Sequence, residues 1–151
     1  MKNNKINVVL KIIGIIHSKF KTLDETSRQG SNTITKIEIF KKFEEGLRDI
    51  EGFSHIHVFF WLHKSKGYKL IVETPWDKNP HGVFTTRSPN RSNSIAYSVV
   101  ELIERRQNTL KVKGIEAIDK TPVIDIKPYI EKIDSKGKTI SGWFEEINLI
   151  Y

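Results

Sequence analysis

Apolar residues recur along much of this chain with the two-residue period of β-strands. Residues 7–17, NVVLKIIGIIH, are rich in Val and Ile around Gly14, which predicts a first strand with a bend or bulge at the glycine. Residues 33–40, TITKIEIF, predict a second strand. Phe40, Phe43, Leu47 and Ile50 then follow at helical spacing, and Gly46 and Gly52 keep that helix to one or two turns. Residues 55–63, HIHVFFWLH, are too apolar for a strand with one wet face, so this strand is expected to be central and largely buried.

Further along, KLIVE reads as a strand and TPWDKNPHGVFTTRSPNRSN as a long irregular segment, the natural place for a site on a rigid scaffold. SIAYSVVELIERR fits both periods: Ile95, Val99, Leu102 and Ile103 suit a helix, whereas Ile95, Tyr97 and Val99 suit a strand. TLKVKGIEAI alternates as a half-buried strand does, PVIDIKPYI predicts a strand stopped at Pro128, and ISGWFEEINLI a last one. Many short strands and little helix predict a mainly β fold, a closed antiparallel β-barrel with short helical segments, in which closure removes exposed edges. The 151 residues fit one domain, and residues 1–151 are read as a single barrel domain without a C-terminal extra domain.

Composition narrows the chemistry. Hydrophobic residues make up 38% and charged residues 28%, enough apolar content for a core. Without cysteine there is no disulfide, thiolate nucleophile or Cys-ligated metal, and a reducing cytoplasm fits. No stretch approaches the roughly 18 apolar residues of a membrane span. The net charge of +7 suits a polyanion such as nucleic acid and equally a solvated lysine surface. There is no glycine-rich phosphate loop, which argues against a Rossmann-type cofactor site.

His55 and His57 share one strand face, as two zinc ligands would, but lack an evident third ligand; packing or hydrogen bonding is the more economical reading, and no metal is expected. Asp119 and Asp125 could form a carboxylate pair, or be a turn-former and a partner of Lys127. Arg87, Arg91 and Asn93 present directional donors suited to a carboxylate, a phosphate or a base edge.

The blocks IGIIHSKFK, SRQG, EGLRDIEGFSHIHVFFWLHKS, GVFTTRSPNRSNSIAYSVVEL and GIEAIDKTPVIDIKPYI, running in order from Ile13 to Ile130, resemble the tRNA N6-threonylcarbamoyladenosine methyltransferase (TsaA-like) family. The resemblance implies a β-barrel that binds S-adenosylmethionine without a Rossmann fold, works as a homodimer, and methylates N6 of threonylcarbamoyl-adenosine beside the tRNA anticodon. It makes SIAYSVVELI a strand. It also implies cofactor contacts from Gln29, Gly30, Ser31, His63, Lys64, Arg87, Tyr97, Asp119, Lys120, Thr121 and Pro122. Methyl transfer releases a proton, for which Asp119 or Asp125 is the expected acceptor, with Asn93, Arg87 and Arg91 orienting the substrate.

The chain departs from the family pattern in the same loops. The pattern reads SPF, PRQ, RPNPIGLS and DGTP, where this chain has SKF, SRQ, RSNSIAYS and DKTP. Lost prolines loosen the loops, and Ala96 and Lys120 stand where glycine would let backbone approach a ligand. A different methyl acceptor, or a non-catalytic RNA-binding barrel, are the competing expectations.

Overall fold

A computed structural model describes residues 7–26 and 32–147. Six antiparallel strands close into a barrel: β1 (Gly14–His17), β2 (Ile34–Ile39), β3 (His55–Trp61), β6 (Ile95–Arg106), β7 (Thr109–Lys113) and β8 (Thr121–Pro128), in the order β1-β2-β7-β6-β3-β8. A separate hairpin, β4 (Ile71–Thr74) and β5 (Asp77–Gly82), lies outside the ring. The short helices are 3₁₀ turns at Lys41–Leu47, Ile50–Gly52, Val83–Thr85 and Gly142–Glu146, and one α-turn, Glu131–Asp134. Mainly β, barrel-closed and poor in helix, the fold matches the sequence expectation.

Alternation explains the core. In β2 the buried positions are Thr35, Ile37 and Ile39, and in β3 they are Ile56, Val58 and Phe60. With Ile16, Val100, Leu110, Val112, Ile115 and Val123 these side chains fill the barrel, as they must in one of few strands. Fully burying one such Ile or Val contributes about 1.5–3 kcal/mol.

The structure corrects several expectations. The first strand begins only at Gly14, because β2 ends at Ile39 and the chain turns away; Phe40 N donates to the Ile13 carbonyl as the last bond of that edge. Val8 and Val9 are 77% and 87% exposed. Gly14 is not a bulge: its register to Ile39 and to Val123 is unbroken. Glycine is required there because a Cβ would collide with the Glu38 carbonyl oxygen and crowd Ile39. β3 is central, pairing with both β6 and β8, yet only every second side chain is buried. Its outer face is half-covered by aromatic contacts, Phe59 with Tyr97 at 5.2 Å and His57 with Tyr129 at 5.4 Å, which is why the apolar run does not alternate.

Residues 74–93 are less irregular than expected, since Asp77–Gly82 pairs back on Ile71–Thr74; Pro80 is tolerated because β5 is an edge. The ambiguous stretch is a strand, β6, bulged between Leu102 and Glu104. Of the predicted last strand, residues 140–147 are described and curl into the 3₁₀ turn Gly142–Glu146, while 148–150 lie outside the described residues. Gly142 takes φ +57, and the Glu145 carboxylate accepts the Ser141 amide at 2.6 Å, both of which curl the backbone.

Candidate active site

One end of the barrel opens into a cavity of about 530 Å³. Its apolar wall comes from the end of β3 (Phe60, Leu62), from Ala96 on β6 and from Ala117 and Ile118 before β8. Trp76 and Thr74, at the tip of the β4–β5 hairpin, face them. Polar groups are distributed around this wall: Lys64, Lys66 and Arg87 as cations, Glu73 and Glu116 as carboxylates, and His63, Ser98 and Thr121. The Thr74 hydroxyl is buried without a hydrogen-bond partner among the described residues, so it can bond a bound molecule.

His63 and Lys64 follow β3 directly, in a turn fixed by the bonds Leu62 N to Ser94 O and His63 N to Trp61 O, each 2.8 Å. Burial, and next the Lys64 charge, push the His63 imidazole below its ordinary pKa, so it stays neutral at neutral pH. Its Nδ1 lies 3.5 Å from Thr121 Oγ1, which itself donates to the Ile118 carbonyl at 2.6 Å.

Asp119 and Lys120 form the turn before Thr121. Lys120 adopts φ +64, the left-handed region that favours glycine. The Asp119 carboxylate faces the loop after β1, accepting the Ser18 amide at 3.0 Å and Lys21 Nζ at 2.7 Å. The Lys21 bond first, and the Ser18 amide next, lower its pKa to about 2. Such a carboxylate anchors a loop well and accepts protons poorly.

The other expected residues fall in different places. Arg87 lines the cavity, with its guanidinium 5.9 Å from the Tyr97 ring centroid. Tyr97 itself points to the outer barrel face, where its hydroxyl bonds His57 Nδ1 at 2.8 Å and His57 Nε2 meets Asp134 at 3.0 Å. Burial raises the Tyr97 pKa, while the Ile130 amide and then His57 lower that of Asp134. His55 bonds Ser54 at 2.9 Å. Arg91 staples its own loop, donating to the Thr86 and Ser88 carbonyls at 3.0 and 3.3 Å, and the exposed Asn93 accepts the Ile95 amide at 2.7 Å. Pro122 sits in β8 opposite Ile15. Asp125 pairs with Lys127 at 2.8 Å and borders a second cavity with Ile13, Phe43 and Phe53, apart from the first. Gln29, Gly30 and Ser31 lie outside the described residues.

His63, Lys64, Arg87 and Thr121 are thus brought together from three segments. Sequence reasoning missed Glu73, Thr74, Trp76 and Glu116. A tryptophan beside a proline in a polar stretch was the available signal.

The family profile for the tRNA-methyltransferase O N-terminal domain matches residues 15–135. This chain belongs to that family. A probable S-adenosyl-L-methionine-binding protein of Archaeoglobus fulgidus is 49% identical over 143 residues, which cover 93% of this chain and 39% of that protein. An S-adenosyl-L-methionine-binding protein of the same organism is 45% identical over 84% of this chain and 93% of its own length. The tRNA (adenine(37)-N6)-methyltransferase of Mus musculus is 37% identical over 85% of this chain, but only 32% of the mouse protein is spanned. The crystal structure of TrmO from Pseudomonas aeruginosa superposes with TM-score 0.74 at 29% identity, over 91% of this chain and 63% of that one. This chain thus spans 39% of the first of these relatives and 32% of the mouse protein.

Proposed function

We propose that this chain is an S-adenosylmethionine-dependent methyltransferase that modifies N6 of threonylcarbamoyl-adenosine beside the tRNA anticodon, as a homodimer in the cytoplasm. The observation that carries the reading is the cavity, whose donor set suits this cofactor. S-adenosylmethionine has an aromatic base, a carboxylate, an ammonium and a sulfonium, and it has no phosphate. Phe60, Leu62, Ala117 and Ile118 suit the base; Arg87 and Lys64 suit the carboxylate; Glu73, Glu116 and the Trp76 ring suit the cationic groups. The Thr74 hydroxyl gains the partner it lacks. A cavity of about 530 Å³ is of the usual size for small-molecule sites.

When bound, the cofactor supplies an electrophilic methyl group. The chain's residues hold the reactants and manage one proton. Neutral His63, on the cavity wall, is the assigned proton acceptor, ahead of Asp119, which is committed to Lys21, and of Asp125, which faces elsewhere. Asp119 positions the loop leading to Gln29, Gly30 and Ser31, and Lys120 and Pro122 frame Thr121. Arg91 holds the loop that carries Arg87, and the Asn93 carbonyl accepts the Ile95 amide at the start of β6. Lys66 at the cavity and the net charge of +7 attract the RNA backbone. Exposed Ile95, Val99 and Ile103 on the outer face of β6 offer an apolar surface to a second copy.

Mass spectrometry of tRNA nucleosides from a strain lacking the gene tests the reading. Methylated threonylcarbamoyl-adenosine should disappear while its unmethylated parent accumulates; an unchanged methylated pool would remove the assignment.

A further inference from the structure

The β4–β5 hairpin supplies Glu73, Thr74 and Trp76 to the cavity, yet it belongs to no strand ladder of the barrel. A two-stranded hairpin is marginally stable by itself and needs a packing partner. Within the hairpin, Asp77 orders the turn by accepting the Asn79 amide at 2.7 Å and meeting His81 Nε2 at 3.0 Å. Its inner side buries Val72, and Val83 follows it into the interior.

Residues 141–147 pack against the hairpin on the face that carries His81, the register partner of Val72. The Trp143 indole stacks on His81 with centroids 3.9 Å apart and planes 14° from parallel. Trp143 Nε1 donates to the Thr85 carbonyl at 3.1 Å, which ties the same side chain to the turn after β5. Phe144 meets the Trp76 ring edge-on at 5.6 Å, so it presses on a residue that itself lines the cavity. Gly142, at φ +57, gives the turn that delivers both rings. This segment lies beyond residues 15–135, which the family profile matches.

We infer that residues 141–147 form a clasp that fixes the β4–β5 hairpin as a wall of the cofactor cavity, with Trp143 as its positioning residue. The inference rests on the cofactor reading above for the identity of the ligand and on geometry alone for the clasp. Trp143 does not line the cavity; it acts through His81 and Thr85 on the backbone that places Thr74 and Trp76.

Two measurements on the full chain test it. In hydrogen exchange, Trp143→Ala should speed exchange in residues 71–83 at least tenfold and leave the barrel amides of Val58, Val100 and Leu110 protected. In calorimetric titration with S-adenosylmethionine, the same variant should raise Kd at least tenfold, and Trp143→Phe, which keeps a ring over His81 and loses the Nε1 bond, should fall between it and the wild type. Unchanged hairpin exchange would overturn the clasp, as would faster exchange with an unchanged Kd. Loss of protection throughout the barrel would mean a general structural role and would overturn it too. If wild-type protein binds no S-adenosylmethionine, the cofactor reading fails, and the exchange result decides the clasp alone.

Discussion

Lys21 and Asp119, 98 residues apart, are joined at 2.7 Å, and the same carboxylate takes the Ser18 amide. Lys21 is 65% exposed and Asp119 only 18%, so the ion pair is partly screened by water while the amide bond is not. Asp119→Asn should therefore cost about 1–2 kcal/mol at neutral pH. The depressed folded pKa fixes the sign. The contribution is present above the ordinary aspartate range and is lost as pH falls from there through about 2. Denaturant titrations of both proteins should show curves that converge toward pH 2, whereas a constant difference would remove the carboxylate from this role.

Lys120 holds φ +64, at the position where the family pattern has glycine. Left-handed backbone costs a side chain about 1–2 kcal/mol, and glycine's extra unfolded entropy returns part of it. Lys120→Gly should raise stability by about 0.5–1 kcal/mol, read as a higher urea midpoint with an unchanged slope.

Gly14 has the opposite logic, since backbone, not solvent, lies where its Cβ would go. Gly14→Ala should cost about 2–3 kcal/mol, because the Glu38 carbonyl cannot move without opening the β1–β2 ladder. A midpoint within experimental error of wild type would contradict the close approach.

His63 titrates below its ordinary range because burial and Lys64 disfavour the charged ring. As proton acceptor it must be neutral, so kcat should hold across neutral pH and fall on the acid side, at a pH below that of an unperturbed histidine. His63→Gln should abolish that acid limb and lower kcat by about 10²-fold or more. An acid limb retained in the variant would assign the proton to another group.

Lys66 at the cavity should meet a phosphate. Lys66→Ala should weaken tRNA binding and reduce the salt slope by about one unit. Filter binding across a salt series measures both.

The barrel was legible because β2, β7 and β8 alternate openly and because β3 is so apolar. It was obscured where tertiary contacts replaced local pattern. Phe59 and Tyr97 cover each other outside the barrel, hiding alternation in β3. Trp143 and Phe144 look like strand residues and instead pack on the hairpin after a left-handed Gly142. The site was partly legible: the motifs around His63, Arg87 and Thr121 point to one cavity. The partners of Asp119 were not legible, since Ser18 and Lys21 are 101 and 98 residues distant and leave no trace in local spacing. Thr74 and Trp76 escaped notice because only the folded hairpin turns them inward.

The central claim is that the cavity delivers a methyl group from S-adenosylmethionine to tRNA. Purified protein incubated with tRNA and deuterated-methyl S-adenosylmethionine, followed by nucleoside mass spectrometry, tests it most directly. The account predicts label on threonylcarbamoyl-adenosine at N6, reduced at least tenfold by Arg87→Ala. Unlabelled threonylcarbamoyl-adenosine from protein that binds the cofactor would contradict it.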